Sequence, residues 1–160
     1  MSPLLVLHVV ISLVAIAAGF VIAYGFVCNR RLAGWNAVFL VTTIATSATG
    51  FVLPADRFTP AHAFGIISFV ALGVALWARY TKSEVGRWRA VYVASALFAF
   101  YLNMFVLIVQ MFQKLPVLKA LAPTQSEPPF AIAQLALLVA FVVMGTLSLR
   151  RYHPASIVAA

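Results

Sequence analysis

Seven residues carry side chains suited to binding chemistry although they sit within strongly apolar runs: His8, Thr46, Thr49, His62, Asn103, Gln110 and Gln134. Imidazoles ligate metals and haem iron and carry protons near neutral pH. Carboxamides donate and accept hydrogen bonds at once, which suits them to orienting the polar end of a ligand. In the stretch 99-AFYLNMFVLIVQMFQK-114, Asn103 and Gln110 are separated by two helical turns and therefore share a face. The apolar segments hold no acid pair, nucleophile elbow or glycine-rich phosphate loop, so the sequence leans away from an enzyme.

The elements that position these residues follow from composition. The chain is 64% hydrophobic and only 9% charged, whereas a soluble domain carries about a quarter charged residues. Five apolar segments, at about 3–28, 35–53, 61–80, 88–113 and 130–149, are each long enough to cross roughly 30 Å of hydrocarbon. A bilayer requires internal satisfaction of every backbone polar group, and no segment alternates with strand period. The expected fold is therefore all-α: a single transmembrane domain, a polytopic bundle of five spans. The first segment lacks a charged leader and exceeds a signal-peptide core in length, so it is expected to be retained.

The net charge of +8 does not indicate nucleic acid, because no basic run is interleaved with stacking aromatics. The cations fall between spans and set topology. With the N-terminus outside, eight lie on the inner side (Arg30, Arg31, Arg79, Lys82, Arg87, Arg89, Arg150, Arg151) and three outside (Arg57, Lys114, Lys119). The positive-inside rule then gives N-out, C-in. Trp35, Trp77, Trp88, Tyr80 and Tyr92 are expected to form an aromatic belt at the inner boundary. Cys28 is the single cysteine, so no intrachain disulfide forms; a small apolar role or reversible acylation is open to it.

This topology converts sequence position into depth. His8, His62 and Gln134 begin their spans near the outer surface, Gln110 and Gln113 end theirs at the same level, and Asn103 lies nearer the midplane. Thr46 and Thr49 occupy the outer half of the second span, followed by Asp56 and Arg57 in a short turn. The inner half is expected to hold far fewer polar groups once the interfacial cations are set aside. Helical spacing groups His8, Ser12, Ala15, Gly19 and Ala23 on the first span; Thr42, Thr46 and Thr49 on the second; His62, Phe69, Gly73 and Tyr80 on the third; Tyr92, Ala96, Asn103, Gln110 and Lys114 on the fourth; and Gln134, Leu138, Phe141 and Gly145 on the fifth. Each stripe is expected to face inward. The small residues of the first span offer a surface for close helix contact.

Three functions fit this cluster. The preferred one is binding or movement of a small amphipathic ligand, lipid or quinone, in an outer-half cavity. The second is a membrane redox protein holding b-type haem or a metal between His8 and His62, which requires the first and third helices to stand apart, because packed helices lie only about 8–10 Å from each other. The third is an accessory or assembly subunit, docking other chains as a homo- or hetero-oligomer through its small-residue faces and outer loop. Each residue also has a purely structural role available: Ser and Thr bond their own helix carbonyls, and amides tie helices together. The loop 114-KLPVLKALAPTQSEPPF-130 is expected to begin with a short surface helix over Leu115–Leu121. Beyond it lies an extended tether in which Thr124 or Ser126 caps the fifth span.

The pattern 7-LHVVISLVAIAAGFVIAYG-25, then 29-NRRLAG-34, then a Ser/Thr-rich span ending 49-TGF-51, resembles small uncharacterised polytopic bacterial inner-membrane proteins whose first helix opens with His and a spaced Gly. The resemblance covers about the first third of the chain. It implies a multi-pass protein of the bacterial inner membrane, of unknown function. The histidine often found after the basic loop in that pattern is replaced here by 34-GWN-36.

Overall fold

The computed structural model describes residues 2–53 and 60–153. Their regular structure is helical. Helix α1 spans Pro3–Val27, α2 Ala33–Val52, α3 Pro60–Leu76, α4 Arg87–Lys114, α5 Pro116–Leu121 and α6 Pro128–Arg151. A single π turn, Trp77–Thr81, prolongs α3. Five of these helices are long and apolar enough to cross a membrane, and their bounds differ by no more than two residues from the five expected spans. The chain has the architecture of a multi-pass helical membrane protein.

Local chemistry sets the helix ends. Ser2 caps α1, its hydroxyl accepting from the Leu5 N–H at 3.3 Å, with Pro3 in the first turn, where a missing N–H costs nothing. Beyond Cys28, Asn29 adopts a left-handed conformation, φ 54°, and the Arg30 N–H closes on the Gly25 carbonyl at 2.7 Å, as at a C-terminal stop. Proline opens α5 and α6. The cap of α6 is Glu127, not Thr124 or Ser126. Its carboxylate accepts from the backbone N–H groups of Thr124 and Ser126, both at 3.1 Å, and from the Thr124 hydroxyl at 2.9 Å. Only a carboxylate has enough lone pairs to gather all three donors.

Packing arranges α1, α2, α3 and α4 as a ring in which each helix touches the next and α4 closes on α1; α6 lies outside, against α4 and α1. The core is built where small residues admit aromatic rings. Ala15, Ala18, Gly19 and Ala23 of α1 are buried, and the ring of Phe100 lies so close to Gly19 that a Cβ there would stand 2.4 Å from Phe100 Cδ2. Phe100 is held in turn by edge contacts with Phe20, Phe39 and Phe141 at 5.0, 6.2 and 5.1 Å. The small-residue stripe of α1 is therefore spent inside the chain.

Three stripes differ from expectation. On α3, Phe69, Gly73 and Tyr80 face outward, while Ser68, Ala71, Leu72, Ala75 and Ala78 face the core. The π turn that breaks the 3.6-residue register near Tyr80 was not evident from sequence. On α2, Thr43 and Ser47 are the buried residues, while Thr42 and Thr46 are half-buried. On α6, Leu138 is exposed and only Ser148 is buried, because this helix has neighbours on one side alone. The belt expectation also fails for Tyr92, which is fully buried, whereas Trp35, Trp77 and Tyr80 are exposed. Asp56 and Arg57 lie outside the described residues.

The contact at Gly19 gives the first prediction. Gly19→Ala should destabilise the protein by about 1–3 kcal/mol, as overpacking does when neighbours have no room to retreat. Phe100→Leu in the same chain should recover part of that loss. The check is thermal unfolding in detergent micelles; an unchanged midpoint for Gly19→Ala would show that α1 and α4 do not meet there.

Candidate functional site

The end of the bundle that carries His8 contains a partly open cavity of about 460 Å³ within the four-helix ring. This volume lies in the range of about 300–1,000 Å³ typical of small-molecule sites. Five expected site residues line it: His8 from α1, Thr46 from α2, His62 from α3, and Asn103 and Gln110 from α4. Thr49 stands directly behind His8, its Oγ1 2.8 Å from His8 Nδ1. Gln134 does not reach the cavity. It lies on α6, outside the ring, where its amide nitrogen donates to the Phe105 carbonyl at 3.3 Å, so its role is to tie α6 to α4.

Several lining residues carried no strong signal in the sequence. Ser12 donates to the His8 carbonyl at 2.7 Å, and Ser47 donates to Ser68 at 3.3 Å, bridging α2 and α3. Phe51 and Phe64 supply aromatic wall. Phe51 packs on the His62 ring at 5.5 Å and stacks on Phe69 at 5.9 Å, and Phe64 meets Phe105 at 5.0 Å. The closeness of Gly65, where a Cβ would stand 2.8 Å from Phe51 Cε2, lets Phe51 lie against α3. Lys114 and Leu115 also line the cavity, at the end of α4 and the start of the following turn.

The hydrogen-bond account of this cavity is incomplete in a way that matters chemically. Asn103 donates to Thr43 at 3.4 Å, and its carbonyl oxygen takes no bond among the described residues. The Gln110 side chain takes none there. Thr46 Oγ1 is buried and has no hydrogen-bond partner among the described residues. Asn103 and Gln110 are half-buried, and their open bonding capacity faces a space with room for water or a small molecule.

His8 and His62 stand on α1 and α3, which are set diagonally across the ring with α2 and α4 between them. Diagonal placement meets one condition of the haem alternative, that these two helices not be direct neighbours. A metal held by a richer ligand set has no such support: among the described residues no group of three or more His, Cys, Asp or Glu is placed to hold an ion.

The opposite end corrects a further expectation, because it too is strongly polar. Arg79, on the π turn, forms a buried ion pair with Glu84 at 2.5 Å. Glu84 also accepts from the Tyr152 hydroxyl at 3.1 Å. The Arg79 guanidinium lies 5.1 Å from the centre of the Tyr92 ring, whose hydroxyl donates to Asn36 Oδ1, and Asn36 donates to the Leu32 carbonyl at 2.7 Å. Arg89 donates to the last carbonyls of α6, Leu149 at 2.8 Å and Tyr152 at 2.5 Å. Burial first, and then the Glu84 carboxylate, push the Tyr152 hydroxyl up to about 12, so it remains a donor at neutral pH. Ser83 and Glu84 both adopt left-handed conformations, φ 51° and 56°, a cost of order 1 kcal/mol or more per residue that the ion pair and packing must hold in place. A signal was present: Glu84 is a lone acid between Arg79, Lys82, Arg87 and Arg89.

The long connection is anchored rather than a plain tether. Leu115–Leu121 does contain the short helix α5, and Gln125 then reaches back to α4, its amide nitrogen donating to the Val109 carbonyl at 2.9 Å and its oxygen accepting from Gln113 at 3.3 Å.

Fold and site together define a polytopic α-helical membrane protein with a largely apolar cavity at one end, into which a few polar side chains converge. No family model matches the chain, and neither a curated protein nor a solved structure matches it significantly.

The ion pair yields the second prediction. Glu84→Gln leaves a buried guanidinium unpaired and should cost about 3–5 kcal/mol. The double replacement Arg79→Met/Glu84→Gln should recover most of that stability, because the uncompensated charge is gone. Unfolding of the three proteins by denaturant in mixed micelles checks this, and a harmless Glu84→Gln would show the pair to be solvated.

Proposed function

We propose that this protein binds or moves a small amphipathic ligand, lipid or quinone, in the cavity at the His8 end. The observation that carries this is the convergence of His8, Thr46, Asn103 and Gln110, from three helices, on one largely apolar space of about 460 Å³. Apolar walls take a hydrocarbon tail out of water or lipid, and a few fixed polar groups orient the head. We place the cavity in the outer half of a bacterial inner membrane, N-out and C-in. The excess of cations at the other end supports this orientation, and labelling of single cysteines should find 115–127 accessible from outside and 82–87 protected.

The binding itself is tested with a diazirine-bearing fatty alcohol and the protein in nanodiscs. Photolysis should place adducts on peptides of α1 and α4 that line the cavity. Asn103→Leu/Gln110→Leu should lower that labelling roughly tenfold, the loss expected for two hydrogen bonds. Labelling spread evenly over the lipid-facing surface of α6 and indifferent to the double variant would refute the site.

The haem reading is retained as the second because His8 and His62 line the same cavity from diagonal helices. The absorption spectrum of the same preparation decides it: a Soret band that disappears in His8→Ala/His62→Ala would replace the amphipath with haem.

A further inference from the structure

The polarity of the hydrogen bonds in this cavity selects among amphipathic ligands, a selection that rests on the binding reading above. Thr49 has one hydroxyl hydrogen. Its Oγ1 donates to the Ala45 carbonyl at 2.8 Å, with the Thr46 carbonyl at 3.1 Å as a second acceptor. The same oxygen lies 2.8 Å from His8 Nδ1. A hydroxyl whose hydrogen is committed to a carbonyl meets the imidazole with a lone pair, so the network assigns the proton to Nδ1 and leaves Nε2 as an acceptor.

Asn103 adds an acceptor of its own. One hydrogen of its amide nitrogen goes to Thr43, which leaves its oxygen and a second N–H for a ligand. Gln110 adds a second carboxamide, and the only charged group among the described lining residues is the ammonium of Lys114, near the end of α4. An anionic head placed deep in the cavity would therefore meet amide and hydroxyl groups without a Lys or Arg beside it. Phe51 and Phe64, from α2 and α3, add flat apolar surface across from the acceptors of α1 and α4.

We propose that the occupant carries a hydroxylated aromatic ring of the hydroquinone class. Its ring hydroxyl donates to His8 Nε2, a second oxygen is served by Asn103 and Gln110, and the ring lies against Phe51 and Phe64. The oxidised quinone has acceptors only and cannot satisfy a neutral Nε2, so the reduced form binds more tightly.

The test is competition against the diazirine probe in nanodiscs under anaerobic conditions, using decyl-substituted benzohydroquinone, the matching benzoquinone and phosphatidylglycerol. The hydroquinone should compete roughly two- to tenfold better than the quinone, the worth of one hydrogen bond. Thr49→Val should abolish that preference by freeing the imidazole tautomer, and Thr49→Ser, which keeps the hydroxyl, should retain it. Equal competition by both redox forms, or displacement by phosphatidylglycerol alone, would overturn the ligand class while leaving the cavity as a binding site. Failure of the probe to label the cavity at all would overturn the binding reading itself.

Discussion

The contact between Phe100 and the small face of α1 governs the rest of the architecture. Helices in a bilayer gain no hydrophobic advantage from meeting one another, so close packing must supply the attraction. Gly19 provides it by letting an aromatic ring approach where any side chain would collide. Phe20, Phe39 and Phe141 then hold that ring from α1, α2 and α6. One residue thus joins four helices near the middle of the bundle.

The two ends behave differently around that joint. At one, Arg79, Glu84, Tyr92, Asn36 and Tyr152 form a chain of bonds that links α2, the π turn, α4 and the end of α6. Breaking any member leaves a buried polar group unpaired, which makes this end costly to open. At the other, Ile16, Leu102 and Asn103, about one turn from the Phe100 contact, lie at the deep side of the cavity, where Thr46 Oγ1 is buried without a partner among the described residues.

Much of this was legible in the sequence. Span number and bounds follow from hydropathy alone, since a bilayer allows few alternatives. Topology places His8, His62 and Gln110 at one level, Thr46 in the same half and Asn103 nearer the midplane, and all five line one cavity. Gln134 shares that level but not the cavity, because depth says nothing of a helix's place in the ring. The α3 stripe fails at Phe69 and Gly73 because neighbouring residues, the small or hydroxyl Ser68, Ala71 and Ala75 together with Leu72, fit the packed face better, and only at Tyr80 does the π turn add a change of register. The buried network at the Arg79 end was hidden because cations near a span boundary look the same whether they serve topology or pair with an acid.

Ligand binding at the His8 end depends on four helices enclosing an occupied cavity above the Phe100 contact. A density map of the protein in nanodiscs decides whether they do: non-protein density is expected within bounds set by His8, Asn103 and Gln110, with α1 and α3 held apart. Helices collapsed onto one another, with the amides of Asn103 and Gln110 bonded to their neighbours and no space between, would contradict it.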